Sequence, residues 1–481
     1  MNSVRTTACA CAVVCALAVV TPAPAVAQSP AQTPLTIAEA IAAAARQHPG
    51  PAEAVAQAAA AGEAVSVARA AYLPKLDAMW QVTRASRNNV FGAFFPQNVI
   101  PISGPVLGTD SFESAWGTAT GLVFSAEVFD FGRRASHVNE ARAGQQGAEA
   151  HAEAVRLGAC VRAADLFLTV LGATKVRESD LTTVARFEQL HQAVSALVAA
   201  ELRPGADRAR VDADLAAARI RLYAGEQSLE VARIRLAVAI GQADLSPVLD
   251  AGPLLAATPG PPPPIQAAPV APDVDVSQHP AVREGVALLE AAGAARDGAR
   301  LSYRPTVLVQ GALSARASGA LLDGTIDNGQ GLWPEVPNWA AGVSVTFPLF
   351  DFGVTRSRVA QRGALVTAAD ARRRAVVDEA TGAVREARVM AEAARRIADT
   401  VPLRLTAARD STAQARARYD AGLTGIVDVV EAERVLAQAQ ADAALATLAL
   451  WRARLAMAAA GGDLGAFVIE ASAPTGPPVV K

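Results

Sequence analysis

The side chains with the clearest chemical potential sit in one short segment, Tyr419-Asp420-Ala421-Gly422-Leu423-Thr424-Gly425-Ile426-Val427-Asp428-Val429-Val430-Glu431-Ala432. Asp428 and Glu431 are three residues apart at a predicted helix start, so they share a face and suit the positive end of the helix dipole. Other reactive residue types are sparse. His137 and His151 could share a helical face, but no cysteine or acidic residue stands at metal-ligand spacing from them, so they read as solvated helix residues. Cys160 reads as a small buried apolar residue. Phosphate loop, nucleophile elbow and paired-cysteine metal motif are all missing, so no catalysis, metal or cofactor is expected.

A helix start needs a helix, and the chain supplies long ones. From Gly132 to about Leu202 there is no proline and little glycine, with heavy use of Ala, Arg, Glu and Leu. Some 70 residues at 1.5 Å each give a helix of about 100 Å. A second helix is predicted from about Arg208 to Ile240. The pattern returns from Val354 to Tyr419, with Pro402 as an expected kink, and from Ile426 to Ala460. Such alanine-rich helices pack closely, as coiled-coil walls do, and imply assembly with further copies.

The repetition extends to landmarks. His48-Pro49 recurs as His279-Pro280 and Tyr72-Leu73-Pro74 as Tyr303-Arg304-Pro305, both shifted by 231 residues. Phe129-Asp130-Phe131-Gly132 recurs as Phe350-Asp351-Phe352-Gly353, shifted by 221. Gly241-Gln242-Ala243-Asp244-Leu245 answers Gly461-Gly462-Asp463-Leu464 near the repeat ends. The predicted organisation is a first repeat over 28–251, a Pro-rich linker over 252–277, a second repeat over 278–464 and a flexible tail over 465–481. Each repeat opens with a helix; in the first, Thr36 and Glu39 form a capping box and the helix is expected to run to Tyr72.

Between helix and Phe-Asp-Phe-Gly the period changes to two. Leu76, Ala78, Trp80 and Val82 alternate with Lys75, Asp77, Gln81 and Thr83, and Leu122, Phe124, Ala126 and Val128 with Gly121, Val123, Ser125 and Glu127. Val307, Val309 and Leu313 alternate with Thr306, Gln310 and Ser314. Trp339, Ala341, Val343, Val345, Phe347 and Leu349 alternate with Ala340, Gly342, Ser344 and Thr346. These runs have the length and two-faced pattern of membrane strands. Trp80, Trp116, Trp333 and Trp339 fall in or beside them, as an aromatic girdle at the membrane surface requires. Outer loops are predicted over about 87–115 and 317–337.

Bulk properties agree. Hydrophobic residues make up 52% of the chain but aromatics only 5%, and no apolar stretch after residue 27 is expected to span a bilayer as a helix. Strands crossing lipid must close into a barrel, because lipid satisfies no open sheet edge. Residues 1–27 read as a secretory signal peptide: Arg5, an apolar run from Ala8 to Val20, and Ala25 and Ala27 before the cut. Cys9, Cys11 and Cys15 would leave with it, so no disulfide is expected. A net charge of -2 gives no sign of a nucleic-acid partner.

With these motifs in order and duplicated, the chain resembles the TolC-like outer-membrane efflux protein family across nearly all of its mature length. Leu35-Thr36-Ile37-Ala38-Glu39-Ala40, Ala71-Tyr72-Leu73-Pro74, the Phe-Asp-Phe-Gly pair and the Tyr419–Ala432 segment carry the resemblance. It implies an α+β membrane protein: a homotrimer with four strands per chain in one twelve-stranded β-barrel, continued by a long periplasmic α-helical barrel. It implies an outer-membrane exit duct for efflux or type I secretion that works with a periplasmic adaptor and an inner-membrane transporter and catalyses nothing. By motif, Asp428 and Glu431 would face the pore as carboxylate rings favouring cations, and Tyr419 would help hold the entrance shut. Gly422 would permit the tight turn between helices. Thr424 stands where a basic residue can join the closing network, which weakens an ionic latch. In the first repeat only Gly205 carries over, as a turn glycine; Arg210 or Val211 stands where an acidic residue is often found. The competing reading is a soluble periplasmic coiled-coil adaptor or scaffold, which would lack two strand pairs with aromatic belts.

Overall fold

The computed structural model describes residues 34–86, 113–254 except 245, and 275–473 except 320, 322–324, 328 and 330. The predicted signal peptide, most of the linker and most of the first outer loop lie outside the described residues. The first repeat runs α1 (Ile37–Gln47), α2 (Pro49–Ala70), β1 (Lys75–Ser86), β2 (Ser114–Phe129), α3 (Arg133–Ala199) and α4 (Gly205–Ala239). The second runs α5 (Pro280–Leu301), β3 (Thr306–Ser318), β4 (Val336–Thr346), α6 (Val354–Asp420) and α7 (Ile426–Gly461), and α8 (Gly465–Ser472) closes the described chain. Helices α3 and α6 have 67 residues each, or about 100 Å.

Local chemistry explains the duplicated landmarks. The capping box forms: Thr36 Oγ1 accepts from the Glu39 N–H, and the Thr36 N–H donates to Glu39 Oε2 at 2.8 Å. The opening helix does not run unbroken to Tyr72, however. His48 leaves helical geometry, its Nδ1 accepts from the Gly50 N–H at 3.1 Å, and Pro49 starts α2. His279 caps α5 in the same way, accepting from the Ala281 N–H at 3.3 Å. The His-Pro pairs are helix starts, in which proline's missing N–H costs nothing.

Phe-Asp-Phe-Gly is the corner from strand to long helix. Phe131 and Gly132 both take positive φ, 55° and 92°, and Phe352 and Gly353 repeat this at 50° and 87°. Asp130 then accepts from the N–H groups of Gly132 at 3.1 Å and Arg134 at 2.6 Å. Asp351 accepts likewise from Gly353 at 3.1 Å and Thr355 at 2.6 Å. Burial pushes the Asp130 carboxyl up, but these hydrogen bonds and Arg134 outweigh it and hold it below the usual carboxylate range.

The strands form one antiparallel sheet in the order β1-β2-β3-β4. Register places Leu76 opposite Phe124, Ala78 opposite Leu122, Leu122 opposite Leu313 and Leu313 opposite Trp339. Hence most large apolar residues of the four strands share one face, and Lys75, Asp77, Gln310 and Ser344 share the other with Met79, Val123 and Leu308. Lys75, Asp77 and Ser344 are exposed, and the apolar face is exposed as well, with Trp339 78% and Leu76 68% accessible. That is inside-out for a water-soluble sheet and right for a lipid-facing one. Strand β4 stops at Thr346, short of the expected Phe347 and Leu349, because Pro348 cannot continue the ladder.

The four girdle tryptophans all lie at or beyond mid-strand, away from the helices. Trp80 and Trp333 meet edge to face at 6.0 Å. Trp339 stands one two-residue step from the level of Trp80, while Trp116 lies four residues beyond that level, under the Arg84 guanidinium at 5.3 Å. Three of the four thus occupy one band, and Trp116 marks the loop end.

Helix α6 runs through Pro402 as one element. Two further expectations change. Residues 465–472, assigned to the flexible tail, form α8, whose Phe467 is buried in the main core with Phe167, Leu236 and Trp451. Helix α7 contains an 18-residue stretch of mean hydropathy 1.3, long and apolar enough to span a bilayer. Its Leu448, Trp451 and Leu455 are buried against α1, α3 and α8 instead, so its alanine-rich apolarity serves wall packing.

Around the wall, α2 lies beside α3, α3 beside α5 and α5 beside α6 near the sheet. Toward the far tip the order is α4, α3, α7, α6. The chain is therefore a curtain with two free sides: β1, α2 and α4 on one, β4 and α6 on the other.

Candidate gate at the helical tip

Two helix-to-helix turns form the tip. In the second, Ala421 ends α6 and Gly422 takes φ 74°. The Gly422 N–H donates to Tyr419 O and the Leu423 N–H to Arg418 O, both at 2.9 Å. This is a Schellman closure, which satisfies the last carbonyls and needs the left-handed residue that glycine supplies without strain. In the first turn the same closure forms on Glu201, at φ 60°, with Leu202 N–H donating to Leu197 O at 2.9 Å. Gly205 is not the turn glycine. It is the first residue of α4 and has no positive φ.

That anchor aligns the two turns at a shift of 221. Asp428 lies six residues past Gly422, and Asp207 lies six past Glu201. Their N–H groups occupy matching sites, donating to Gly425 O and Pro204 O. Asp207 is therefore the first-repeat counterpart of Asp428, and Arg210 that of Glu431. The residue aligned with Thr424 is Arg203.

Arg203 matters more than the sequence suggested. Its guanidinium lies over the Tyr419 ring at 4.8 Å, linking the two turns through a cation–π contact. Tyr419 is buried in a cluster with Val194, Val211, Ile426 and Val430, drawn from all four tip helices. Burial pushes its phenol up, and Arg203 partly offsets this. Thr424 Oγ1 and Tyr419 Oη are buried without a hydrogen-bond partner among the described residues. The basic residue is thus present at the tip, supplied by the other turn.

Asp428 and Glu431 are exposed and line a polar groove of about 330 Å³ with Ser411, Gln414, Arg418 and Thr424. Glu431 pairs with Arg434 at 3.2 Å. Two residues further, Glu433 is buried between Arg416 of α6, at 2.5 Å, and Arg186 of α3, at 3.5 Å. Arg186 also donates to Gln440 Oε1 at 2.8 Å, so α3 grips α7 at two points. The shift of 221 would have found Arg203 and Asp207 in the sequence. Nothing in it marked Glu433, whose partners come from two other helices.

His137, His151 and Cys160 do not converge. His137 pairs with Glu140, His151 with Glu284, and Cys160 is buried near Ile41 O. No group of three metal-binding side chains forms among the described residues.

The sequence profile of outer membrane efflux proteins matches residues 40–242 and 275–463, one match per repeat. This chain belongs to the outer membrane efflux protein family. Solved outer-membrane channels share the fold of this efflux protein. CusC, described in terms of transmembrane channel formation, superposes with a TM-score of 0.75 at 15% identity, covering 90% of this chain and 93% of that one. The Campylobacter jejuni CmeC outer membrane channel gives 0.73 at 15% identity, with 92% and 87% covered. The open state of the Neisseria gonorrhoeae MtrE outer membrane channel gives 0.69 at 20% identity, with 89% of each chain covered. No curated protein matches this efflux protein in sequence comparison.

Proposed function

We propose that three copies of this efflux protein close into a continuous duct through the outer membrane and into the periplasm, exported by a cleaved signal at 1–27. The observation that carries this is the curtain with two free sides. Strands β1 and β4 each have an unpaired edge, and β4 carries exposed apolar residues where only lipid or a neighbour could suit them. Lipid tolerates no open edge, so the sheet must close with other copies by a head-to-tail contact. Two copies would give eight strands, whose interior side chains fill; three give twelve and leave a lumen.

The duct is passive. It works with a periplasmic adaptor at the tip and an inner-membrane transporter that supplies the energy. At the tip, Asp428 and Glu431 face the lumen in rings that admit cations more readily than anions. Tyr419, held by Arg203 and turned by Gly422, keeps the α6–α7 hairpin against the first repeat.

Fractionation tests the membrane reading. The protein is expected in the outer-membrane fraction and extracted only by detergent. Recovery as a soluble periplasmic protein without detergent would favour an adaptor or scaffold and overturn the duct.

A further inference from the structure

Between the long helices α3 and α6 the wall holds two shorter helices laid end to end, α5 nearer the sheet and α7 nearer the tip, each packed on both neighbours. We propose that His279 is an acid-sensitive joint between them: as a neutral imidazole it closes the first turn of α5 against the end of α7, and as an imidazolium it releases that turn. The joint lies within one chain and stands whether or not three copies close a duct.

Helix α7 ends at Gly461, and Gly462 turns against the start of α5, where an added Cβ would lie 3.1 Å from Pro280 Cδ and 3.3 Å from His279 Cδ2. At this junction His279 Nδ1 accepts from the Ala281 N–H at 3.3 Å, satisfying a donor that helix geometry leaves without a partner. Only an unprotonated nitrogen can accept, so the cap requires the neutral ring with its proton on Nε2. The ring also faces the Ala459 carbonyl near the end of α7, a partner for that proton. One neutral imidazole thus serves the end of one helix and the start of the next. A second proton would put an N–H on Nδ1, aimed at the Ala281 N–H, and add positive charge at the positive end of α5. The first repeat builds its joint alike: His48 Nδ1 accepts from the Gly50 N–H at 3.1 Å, and a Cβ added to Gly241 would meet Gln47 O at 2.6 Å. Asparagine caps helices equally well but does not change charge near neutral pH; histidine does.

The charged groups level with the ring are Asp275 and Arg283 beside it in sequence, Asp463 after α7, Arg156 of α3, and Asp378 and Glu379 of α6. Asp275 accepts from the Ser277 N–H, Arg283 pairs with Glu153, Asp463 accepts from the Gly465 N–H, and the other three are exposed. None of these carboxylates pairs with the ring to hold an imidazolium in place. Burial pushes the proton affinity of His279 down, and the Ala459 carbonyl opposes that shift. The ring's contribution to stability is therefore full above the ordinary histidine value, about 6.5, and is lost as pH falls from there through the lowered native value. Across that window each pH unit raises opening at the joint by up to about tenfold.

Hydrogen exchange on the purified full-length protein in detergent tests this, read on peptides covering the start of α5 and corrected for the intrinsic pH dependence of exchange. Between pH 7 and pH 5.5, protection there is expected to fall severalfold, while peptides around Phe167 in the main core keep theirs. His279→Asn, which retains an acceptor and does not titrate in this range, is expected to stay protected at both pH values. His279→Ala is expected to lose protection at both. Parent protection that does not change with pH, an acid loss equally large around Phe167, an acid loss that persists in His279→Asn, or a His279→Ala variant as protected as the parent would each overturn the proposal.

Discussion

Replacing Glu433 by alanine is expected to destabilise the helical tip by about 3–5 kcal/mol, the usual cost of leaving one partner of a buried ion pair uncompensated. The Glu433 side chain is 3% exposed between the guanidinium groups of Arg186 and Arg416. Burial already pushes the Arg186 guanidinium down, with Glu433 opposing that shift and Arg416 adding to it. Without the carboxylate, Arg186, with a side chain only 16% exposed, has Arg416 as its neighbour and no counter-charge. Replacing Glu433 and Arg186 together by leucine should recover much of the loss, since apolar packing can substitute for a buried pair. Protease cleavage at the tip reads this directly. Glu433→Ala should be nicked far faster than the parent and than the double variant; equal rates in all three would show that the triad holds nothing.

Trp451→Ala is expected to cost a similar amount, about 3–5 kcal/mol. Trp451 is 1% exposed, meets Phe467 of α8 edge to face at 6.3 Å, and donates from Nε1 to Leu254 O at 3.1 Å. It therefore joins α7, α8 and the start of the linker. Truncation opens a cavity and leaves the Leu254 carbonyl without its donor. Thermal unfolding followed by helical circular dichroism should show a large drop in midpoint for Trp451→Ala and a smaller one for Trp451→Phe. Equal midpoints for parent and alanine variant would mean that α8 is not held by this residue.

Much of the fold was legible because it is repeated and periodic. Alternation located all four strands, and long runs rich in Ala, Arg, Glu and Leu located the long helices to within a few residues. Breaks of pattern were missed: the alternation was carried to Leu349 although Pro348 ends β4 at Thr346, and His48 ends α1 through a side-chain cap that periodicity does not register. Trp451 was opaque because its partners, Leu254 and Phe467, come from segments that look like linker and tail. The proposed gate divides in the same way. Asp428, Gly422 and Tyr419 stand in one segment with motif spacing. Arg203 depends on aligning two turns, and the sequence misaligned them by trusting Gly205 over Glu201, because a glutamate gives no sign of a left-handed backbone. The halves are unequal at the tip in a definite sense: the second supplies the carboxylates and the tyrosine, and the first supplies the cation that holds it.

A duct with the proposed carboxylate gate must select among ions, and its selectivity is read in planar bilayers. Purified protein is expected to give stepwise conductance that favours cations, with Asp428→Asn and Glu431→Gln together reducing that preference. Conductance whose selectivity is unchanged by both substitutions would place these carboxylates off the ion path, and correctly assembled protein that gives no conductance would contradict the duct itself.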